Sequence, residues 1–537
     1  MMLTYSFTGD GEWWRHAAIY QILPLSFQDT NGDGIGDLPG ILARLDHLSW
    51  LGVDAVWLSP FYPSPLREAG YDVAEYCDVD PVFGTLDDFD RLLGALHARG
   101  MRLILDFVPN HTSDRHPWFR ESRASRDNPK RDWYIWRDPA PDGGPPNNWL
   151  SRFGGSAWKF DDATGQYYYH AFLKEQPDLN WRNPAVRRVM FDVLRFWLHR
   201  GVDGFRVDAS GVLIEDELLR DDPPDPSATE QTPPPERQRR VFTDTRPEVF
   251  DCLAEMRAVL EGFPDRLLAG EADTSTDRVA RFYGDPRRPC LHLPLNTRLL
   301  EAPWQQPALA AALDTYLNVV PRHGWPNWVI GGHDKPRIAS RIGAAQARVA
   351  AMLHLTLPGT AVLYAGDEIG MPQMPVPPER VRDPFEILLP GYGLGRDPQR
   401  TPMRWSPEPG AGFTTGEPWL PIGPAVETLN VASQQRDPGS ILALYRALLR
   451  LRRSEPLLRT GTYEPLRGGS AVLAFRRTAP GQSLLVALNL GGERQELDLP
   501  TGGRMLLSTH LDRSGLQEAG KLPLRPQEGV LLRTEGS

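Results

Sequence analysis

Short apolar runs rich in β-branched residues alternate with longer stretches of helical periodicity over most of the chain. The runs that predict strands are residues 18–22, 55–58, 102–107, 205–208, 267–270, 291–295, 328–331 and 361–365. Helical spacing is clear in residues 86–99, 186–200, 250–260 and 344–357. Eight strands alternating with helices predict an α/β fold, a (β/α)8 TIM barrel. The rival is an open doubly wound sheet, but no Gly-x-Gly-x-x-Gly turn follows the first strand.

Two spacers and a change of pattern divide the chain further. Residues 111–180, rich in Trp, Tyr, Pro and Gly, predict a subdomain inserted after the third strand. Residues 221–246 are Pro-rich and charged, which indicates either an irregular lid over the barrel mouth or a mobile loop. From residue 461, short alternating strands predict a C-terminal antiparallel β-sandwich over 461–537. The catalytic barrel would then comprise residues 1–110 and 181–460.

Composition narrows the class of protein. The length of 537 residues and the hydrophobic fraction of 41% suit two or three domains. A net charge of −10 disfavours nucleic acid as a partner. The 3 cysteines are widely spaced, which indicates neither a disulfide framework nor a zinc site. The first ten residues lack a signal-peptide pattern and no apolar run reaches membrane-spanning length, so a cytoplasmic enzyme is predicted, its oligomeric state left open.

Three acidic residues, Asp208, Glu271 and Asp334, each follow an apolar run. A carboxylate at the end of a buried strand is costly, and in a barrel this end is the mouth of the active site. Converging carboxylates there suit the cleavage of a glycosidic bond. A structural ion pair or a solvated strand end would explain each acid alone, but their shared placement favours catalysis.

Neighbouring residues fit the same chemistry. Arg206 lies two residues before Asp208, so both side chains point to one face, and the cation is expected to keep Asp208 ionised. Desolvation and a nearby negative charge would favour the protonated form of Glu271, as a general acid requires. His111 and His333 would offer hydrogen-bond donors to sugar hydroxyls.

Four segments resemble, in order, the signature regions of the α-amylase superfamily of glycoside hydrolases. They are Asp106-Phe-Val-Pro-Asn-His111, Gly204-Phe-Arg-Val-Asp208-Ala209, Gly270-Glu271 and His333-Asp334. Similar stretches are Tyr20-Gln-Ile, Gln176-Pro-Asp-Leu-Asn180 and Arg400-Thr-Pro-Met-Arg-Trp405. Within the superfamily, the chain looks closest to bacterial exo-acting α-glucosidases of the maltase and oligo-1,6-glucosidase type.

The resemblance implies a retaining double displacement on small α-glucosides. Asp208 would be the nucleophile, Glu271 the acid and base, and Asp334 the residue that binds the 2- and 3-hydroxyls. Retention implies that the carboxyl groups of Asp208 and Glu271 lie roughly 5 Å apart. The glucose subsite would be completed by Glu68, Tyr71, His111, Arg206, His333 and Arg400.

Residues 29–37 place oxygen-bearing side chains at alternating positions between glycines, which suits a hard cation such as Ca²⁺. The segment lacks the closing Glu of an EF-hand, because position 40 is Gly. The same loop in related α-glucosidases carries a Ca²⁺, so the resemblance implies a structural ion. Its ligands would be the side chains of Asp29, Asn31, Asp33 and Asp37 and the carbonyl of Ile35.

The sequence departs from the family pattern at several positions. Glu68 stands where exo-acting relatives have an Asp that pairs with an Arg, for which Arg400 is the candidate. Lys335 follows Asp334, where it would either pair with a lid carboxylate or favour an anionic aglycone. Ala209 resembles α-1,4-acting relatives, whereas trehalose synthases carry Ala at the positions of both Ala209 and Ala272.

Three hypotheses follow. The leading one is an α-glucosidase that releases terminal glucose, with α-1,4 linkages favoured. The second keeps the chemistry but returns the glucosyl group to a sugar, as a trehalose synthase does. The third is a non-catalytic sugar-binding or partner-stabilising subunit, against which the presence of all three acids argues.

Overall fold

The computed structural model describes Tyr5 and residues 12–272, 275–466 and 469–535. The segment predicted to lack a signal peptide therefore lies, Tyr5 apart, outside the described residues. Eight parallel strands form the central sheet, and each lies within two residues of its predicted bounds. They are β1 (Ala18–Ile22), β2 (Ala55–Leu58), β3 (Arg102–Phe107), β4 (Gly204–Val207), β5 (Leu267–Glu271), β6 (Leu293–Leu295), β7 (Asn327–Val329) and β8 (Thr360–Tyr364).

The sheet closes into a barrel. Its hydrogen-bonded order runs β6-β5-β4-β3-β2-β1-β8-β7, which leaves β6 and β7 to meet. The buried side chain of Asn327 joins them, since its Nδ2 donates to the Pro294 carbonyl at 2.7 Å and its Oδ1 accepts from the Asn296 amide at 2.9 Å. The predicted (β/α)8 barrel is confirmed, and all strand carboxyl ends share one mouth.

Helices surround the barrel because their apolar positions recur with a period of 3.6 residues. In Leu86–Ala98, the buried residues Phe89, Leu92, Leu93 and Leu96 form one face, and Thr85 with Asp88 makes a capping box at the start. The α-helices are Leu38–Ala43, Leu45–Leu51, Leu86–Ala98, Pro117–Ala124, Pro184–Arg200, Val249–Glu261, Thr276–Val279, Arg298–Glu301, Gln306–Val319, Ile338–Ile342, Ala344–Thr356, Pro384–Leu388, Val431–Arg436, Ile441–Ser454 and Pro456–Thr460. Among the described residues, no helix has the length and apolar character that crossing a membrane requires.

Between β3 and β4 lies an antiparallel three-stranded sheet formed by Trp136–Arg137, Trp158–Asp161 and Gln166–Tyr169. It has a small core of its own, in which Trp149 stacks on Trp158 with ring centroids 5.9 Å apart.

Residues 221–246 lie against this inserted unit, since Asn148 Nδ2 donates to the Asp222 carbonyl at 2.9 Å. We call residues 221–246 the lid, because several of them line the barrel mouth.

The C-terminal part is an antiparallel sandwich of a six-stranded and a two-stranded sheet. The larger sheet has the order Thr462–Leu466, Val472–Ala479, Gln482–Asn489, Gly529–Glu535, Gly503–Ser508 and Gly515–Gln517, and the smaller pairs Gln495–Leu499 with Gly520–Leu524. Successive side chains of the strand Val472–Ala479 point to opposite faces of the larger sheet. Leu473 and Phe475 pack in the core shared with the barrel helices, whereas Val472 and Ala474 pack inside the sandwich. The predicted sandwich is confirmed; the domain boundaries at 110, 180 and 460 stay predictions.

Candidate active site

A cavity of about 350 Å³ opens at the carboxyl ends of the barrel strands. The inserted unit and the lid form its outer walls. Most of the residues predicted for the site line this cavity: Glu68, Tyr71, His111, Asp208, Glu271 and Asp334. The barrel therefore brings together side chains that are far apart in the sequence.

The guanidinium of Arg206 lies among three carboxylates, those of Asp106, Asp208 and Glu271, which we call the inner group. Because Arg206 and Asp208 lie two residues apart, both face the barrel interior, and Arg206 Nη1 donates to Asp208 Oδ1 at 2.5 Å. The same nitrogen donates to Asp106 Oδ1 on β3 at 2.8 Å, and Nη2 donates to Glu271 Oε2 at 2.7 Å. One guanidinium thus bridges the predicted nucleophile and the predicted acid. The 5 Å carboxyl separation stays a prediction.

The electrostatics of Asp208 differ from the sequence-based expectation. Burial raises the pKa of Asp208, Glu271 and Asp106 raise it further, and Arg206 opposes them without prevailing, so the pKa lies well above its usual range. Arg206 favours the ionised form of Asp208, as expected, but it does not outweigh burial, because a single cation serves three carboxylates.

Backbone contacts fix Glu271 against the end of β4. The hydroxyl of Ser210 donates to the carbonyl of Glu271, and the Ala209 amide donates to its Oε2 at 3.4 Å. Ala209 adopts a positive φ of 47°, which turns the chain sharply after Asp208. Ser210 was not identified from the sequence, although it lies directly beside the second signature segment.

His333 and Asp334 form a second group on the opposite wall. Gln21 Nε2 donates to His333 Nδ1 at 2.7 Å, so the other ring nitrogen is free to donate to Asp334 Oδ2 at 3.0 Å. Tyr71 stacks on His333 with an interplanar angle of 8° and donates from its hydroxyl to Asp106 at 3.0 Å. Burial alone would raise the pKa of Asp334, but His333, Arg396 and Arg400 together hold it well below its usual value.

The inner end of the cavity is closed by Glu68 and two arginines. Arg396 Nη2 lies 2.8 Å from Glu68 Oε1, whereas Arg400 Nη2 lies 3.9 Å from the same oxygen and 2.6 Å from Asp334 Oδ1. Arg400 thus pairs with Glu68 as predicted, but at a longer distance than Arg396, which is the closer partner. Arg400 also supports Asp334.

Arg396 was not identified from the sequence, yet it links the carboxylates of this end. It also contacts Asp334 at 3.1 Å and Asp383 at 2.7 Å. Burial raises the pKa of Glu68 to about 7 although Arg396 and Arg400 lower it. The amide of Glu68 donates to the buried Asp72 at 3.2 Å, which holds the loop in place.

His111 lies in the cavity wall as predicted, but its ring nitrogens have protein partners. Nδ1 lies 2.9 Å from Asn110 Oδ1, and Nε2 lies 2.9 Å from Gln176 Nε2. Burial lowers the pKa of His111 to about 4, so the ring is neutral at physiological pH. Its contact with substrate stays a prediction.

Residues 29–37 form a compact loop whose side chains fold back over the backbone. The Oδ1 atoms of Asp29, Asn31 and Asp33 accept the amide N–H two residues further on, at 2.9, 2.9 and 2.8 Å. Asp37 accepts from the Thr30 amide at 2.9 Å and caps the helix that follows. In the described part of the chain, no three His, Cys, Asp or Glu side chains gather as a metal site, so an ion here would also need the oxygens of Asn31 and Ile35. Carboxylate, amide and carbonyl oxygens suit Ca²⁺ chemically.

Comparison with known proteins supports the fold. The family model described as alpha amylase, catalytic domain, matches residues 21–461. A probable alpha-glucosidase of Rhizobium meliloti (strain 1021) is 43% identical, with 91% of this chain and 92% of that protein covered. An oligo-1,6-glucosidase of Parageobacillus thermoglucosidasius is 38% identical, with 96% and 98% covered.

Solved structures agree with these relatives. The alpha-glucosyl transfer enzyme XgtA superposes with a TM-score of 0.92 at 41% identity, covering 98% of this chain and 100% of that one. The isomaltulose synthase of Erwinia rhapontici NX5, in complex with sucrose, gives a TM-score of 0.89 at 34% identity over 98% and 100%. The barrel, its carboxylates and these matches together show that the chain belongs to the α-amylase family.

Proposed function

We propose that this protein is a retaining exo-acting α-glucosidase that removes terminal α-linked glucose from short oligosaccharides or disaccharides. One observation carries the proposal, the shape and lining of the cavity. Glu68, Arg396 and Arg400 close it at one end. Asp208 and Glu271 line it and both accept hydrogen bonds from the guanidinium of Arg206. Because the cavity is closed at this end, only the terminal sugar of an oligosaccharide can enter it. The names of the relatives, alpha-glucosidase and oligo-1,6-glucosidase, support this substrate class.

The reaction proceeds in two displacements at the anomeric carbon. Asp208 attacks that carbon as the carboxylate while protonated Glu271 gives its proton to the glycosidic oxygen, so the C–O bond breaks and a glucosyl ester forms. Glu271 then removes a proton from water, which attacks the same carbon and releases Asp208. Asp334, held ionised by its cationic neighbours, accepts hydrogen bonds from ring hydroxyls, while Tyr71 supplies a flat face beneath the sugar.

A glucosyl-transferring enzyme is the second candidate. It is favoured by the similarity to XgtA, named as an alpha-glucosyl transfer enzyme, and to an isomaltulose synthase whose natural substrate is sucrose. Both candidates share the glucosyl ester and differ only in whether water or a sugar attacks it. Ala209, which resembles α-1,4-acting relatives, supports α-1,4 hydrolysis as the main activity.

Product analysis separates the candidates. Purified protein would be incubated with maltose, isomaltose, sucrose, trehalose and maltotriose, and products quantified by chromatography. Net glucose release, ranked by linkage, supports the hydrolase. A new disaccharide without net glucose would replace it with the isomerase, and turnover of none of these sugars would contradict both.

The closed end gives a prediction for pH dependence. The folded-state pKa of Glu68 is raised from 4.5 to about 7, so the folded protein favours the protonated form. Stability therefore falls as pH rises from about 4.5 to 7, and a Glu68→Gln variant lacks this loss. We expect the Tm of the variant to match that of the wild type at pH 5 and to exceed it by a few degrees at pH 8.

Calorimetry at several pH values measures this difference. Glu75→Gln, at an exposed position of the same loop region, is the control and should follow the wild type throughout. A variant whose Tm falls below the wild type as pH rises would show that the ionised carboxylate is net stabilising, contrary to the account.

We also propose a structural Ca²⁺ at residues 29–37, supported by the oxygen-rich side chains that fold over the loop. Chelation by EGTA is expected to lower the Tm, since a ligand at a hundredfold excess over its Kd stabilises by about 2.7 kcal/mol. Asp33→Ala should abolish the response to added Ca²⁺, whereas Asp46→Ala, at an exposed helical position, should keep it. Equal Tm values in EGTA and in excess Ca²⁺, with no heat of binding, would contradict the site.

A further inference from the structure

The outer part of the cavity carries cations that the proposed glucose chemistry does not use. Lys335, directly after Asp334, lines the mouth and is half-buried. Among the residues that the structure describes, no carboxylate forms an ion pair with its ammonium group; the lid carboxylate Glu236, although it lines the same mouth, is exposed and does not reach it. The pairing of Lys335 with a lid carboxylate, one of the two sequence-based alternatives, is thus not observed.

Arg240 presents a second cation from the lid. Its Nη1 donates to the Leu150 carbonyl at 3.0 Å and its Nη2 to the Pro235 carbonyl at 3.4 Å, and no ion pair to a carboxylate is found within the described residues. Burial and the nearby Arg152 lower the pKa of Arg240 to about 10, although Asp244 and Asp222 raise it, so Arg240 is charged at neutral pH. Within the described chain, neither carboxylate lies within ion-pair distance of it. A half-buried cation in this state gains from an anion that binds beside it.

The other arginines of the cavity are already paired with carboxylates. Arg152 lies 3.0 Å from Asp244, and the inner carboxylates share Arg206, Arg396 and Arg400. The inner group still holds more carboxylates than arginines, so it would repel an anion in the glucose subsite. Lys335 and Arg240 are outside these ion pairs and line the same cavity.

We infer that the aglycone subsite accepts α-glucosides whose aglycone carries a carboxylate, which Lys335 and Arg240 bind. This inference rests on the proposed α-glucosidase activity and names its substrate class. Arg240 offers the planar fork that suits a carboxylate, and Lys335, which lines the same cavity, supplies a point charge. A volume of about 350 Å³ is at the small end for ligand cavities, which favours a glucosyl unit with a short aglycone over a long chain.

The test compares two glucosides that differ only in charge. 2-O-α-glucosylglycerate and 2-O-α-glucosylglycerol have the same skeleton, with a carboxylate in one and a hydroxymethyl group in the other. We expect the wild type to show a kcat/KM about tenfold higher for the glycerate, the ratio that a single charge contact supplies. The preference should shrink as salt is raised from 0.02 to 0.5 M, by screening.

Variants identify the residues responsible. Lys335→Met and Arg240→Gln should each bring the glycerate-to-glycerol ratio toward one, chiefly through KM for the glycerate. Lys159→Met, on an exposed strand position of the inserted unit, removes the same charge away from the mouth and should leave the ratio as in the wild type.

Maltose serves as the reference substrate. If the wild type hydrolyses maltose but shows a ratio of one or less, the inference is overturned and the α-glucosidase assignment stands. If neither maltose nor either glucoside is hydrolysed, both fall. A tenfold ratio that survives both substitutions would also overturn the inference, because the selectivity would then come from other groups.

Discussion

Replacing Asp208 by asparagine is expected to lower kcat/KM for maltose by at least about four orders of magnitude. The amide cannot form the glucosyl ester, and nothing else in the inner group stands in its place. Asparagine keeps the size of the side chain and still offers an oxygen to Arg206. Initial-rate measurements with purified protein test this.

The fold should survive this change. Because the folded state favours protonated Asp208, its ionised form costs stability above the unfolded pKa, and a neutral amide avoids that cost. Arg206 keeps Asp106 and Glu271 as partners at 2.8 and 2.7 Å. We therefore expect a Tm at pH 7.5 equal to or above that of the wild type. Asp225→Asn, at a half-buried lid position, is the control for activity. Hydrolysis retained within tenfold by Asp208→Asn would remove Asp208 from the mechanism.

Glu271→Gln is expected to lose about 10²- to 10⁴-fold in kcat/KM for maltose, whose leaving oxygen needs a proton. The loss should be much smaller for α-glucosyl fluoride, because fluoride departs without protonation. Azide, which attacks without a general base, should restore turnover and give α-glucosyl azide. Measuring both substrates with and without azide tests the assignment.

Glu261→Gln, at the exposed end of a barrel helix, is the matched control and should behave as the wild type on both substrates. Equal losses on maltose and on the fluoride would mean that Glu271 does not act as the acid. Failure of azide to accelerate the variant would contradict its role as the base.

The barrel could be predicted from the sequence because its strands are short apolar runs with regular helical spacers. The order of the strands follows from the right-handed connection of parallel neighbours, so knowledge of contacts between distant residues was not needed. The closure of the barrel could not be predicted in this way. The contact between β6 and β7 depends on Asn327, whose amide completes the hydrogen bonds where the ladder stops, and no local pattern marks it.

The acids of the site could be predicted because each ends a strand, and the resemblance placed them in signature segments. Arg396 was not predicted as a site residue because it lies in an irregular segment, four residues before Arg400, which resembles the family pattern more closely. Its role depends on the reach of Glu68, which only the folded loop reveals. Gln21 lies in the Tyr20-Gln-Ile stretch that the resemblance includes, but its bond to His333 is a contact across the barrel.

The raised pKa of Asp208 could not be predicted either. The sequence shows Arg206 two residues away, but not that the same guanidinium also serves Asp106 and Glu271, nor how deeply the group is buried. Similarly, Lys335 could be singled out as a departure, whereas the lack of a close counterion among the described residues became visible only with the lid in place.

The most direct test of the account is the anomeric form of the first glucose released from maltose, followed by proton NMR within the first minutes, before mutarotation. Double displacement through Asp208 predicts α-glucose at the start, with the β-anomer appearing only as the sugar equilibrates. Initial release of β-glucose would show a single displacement by water and contradict the nucleophilic role of Asp208, and with it the central claim.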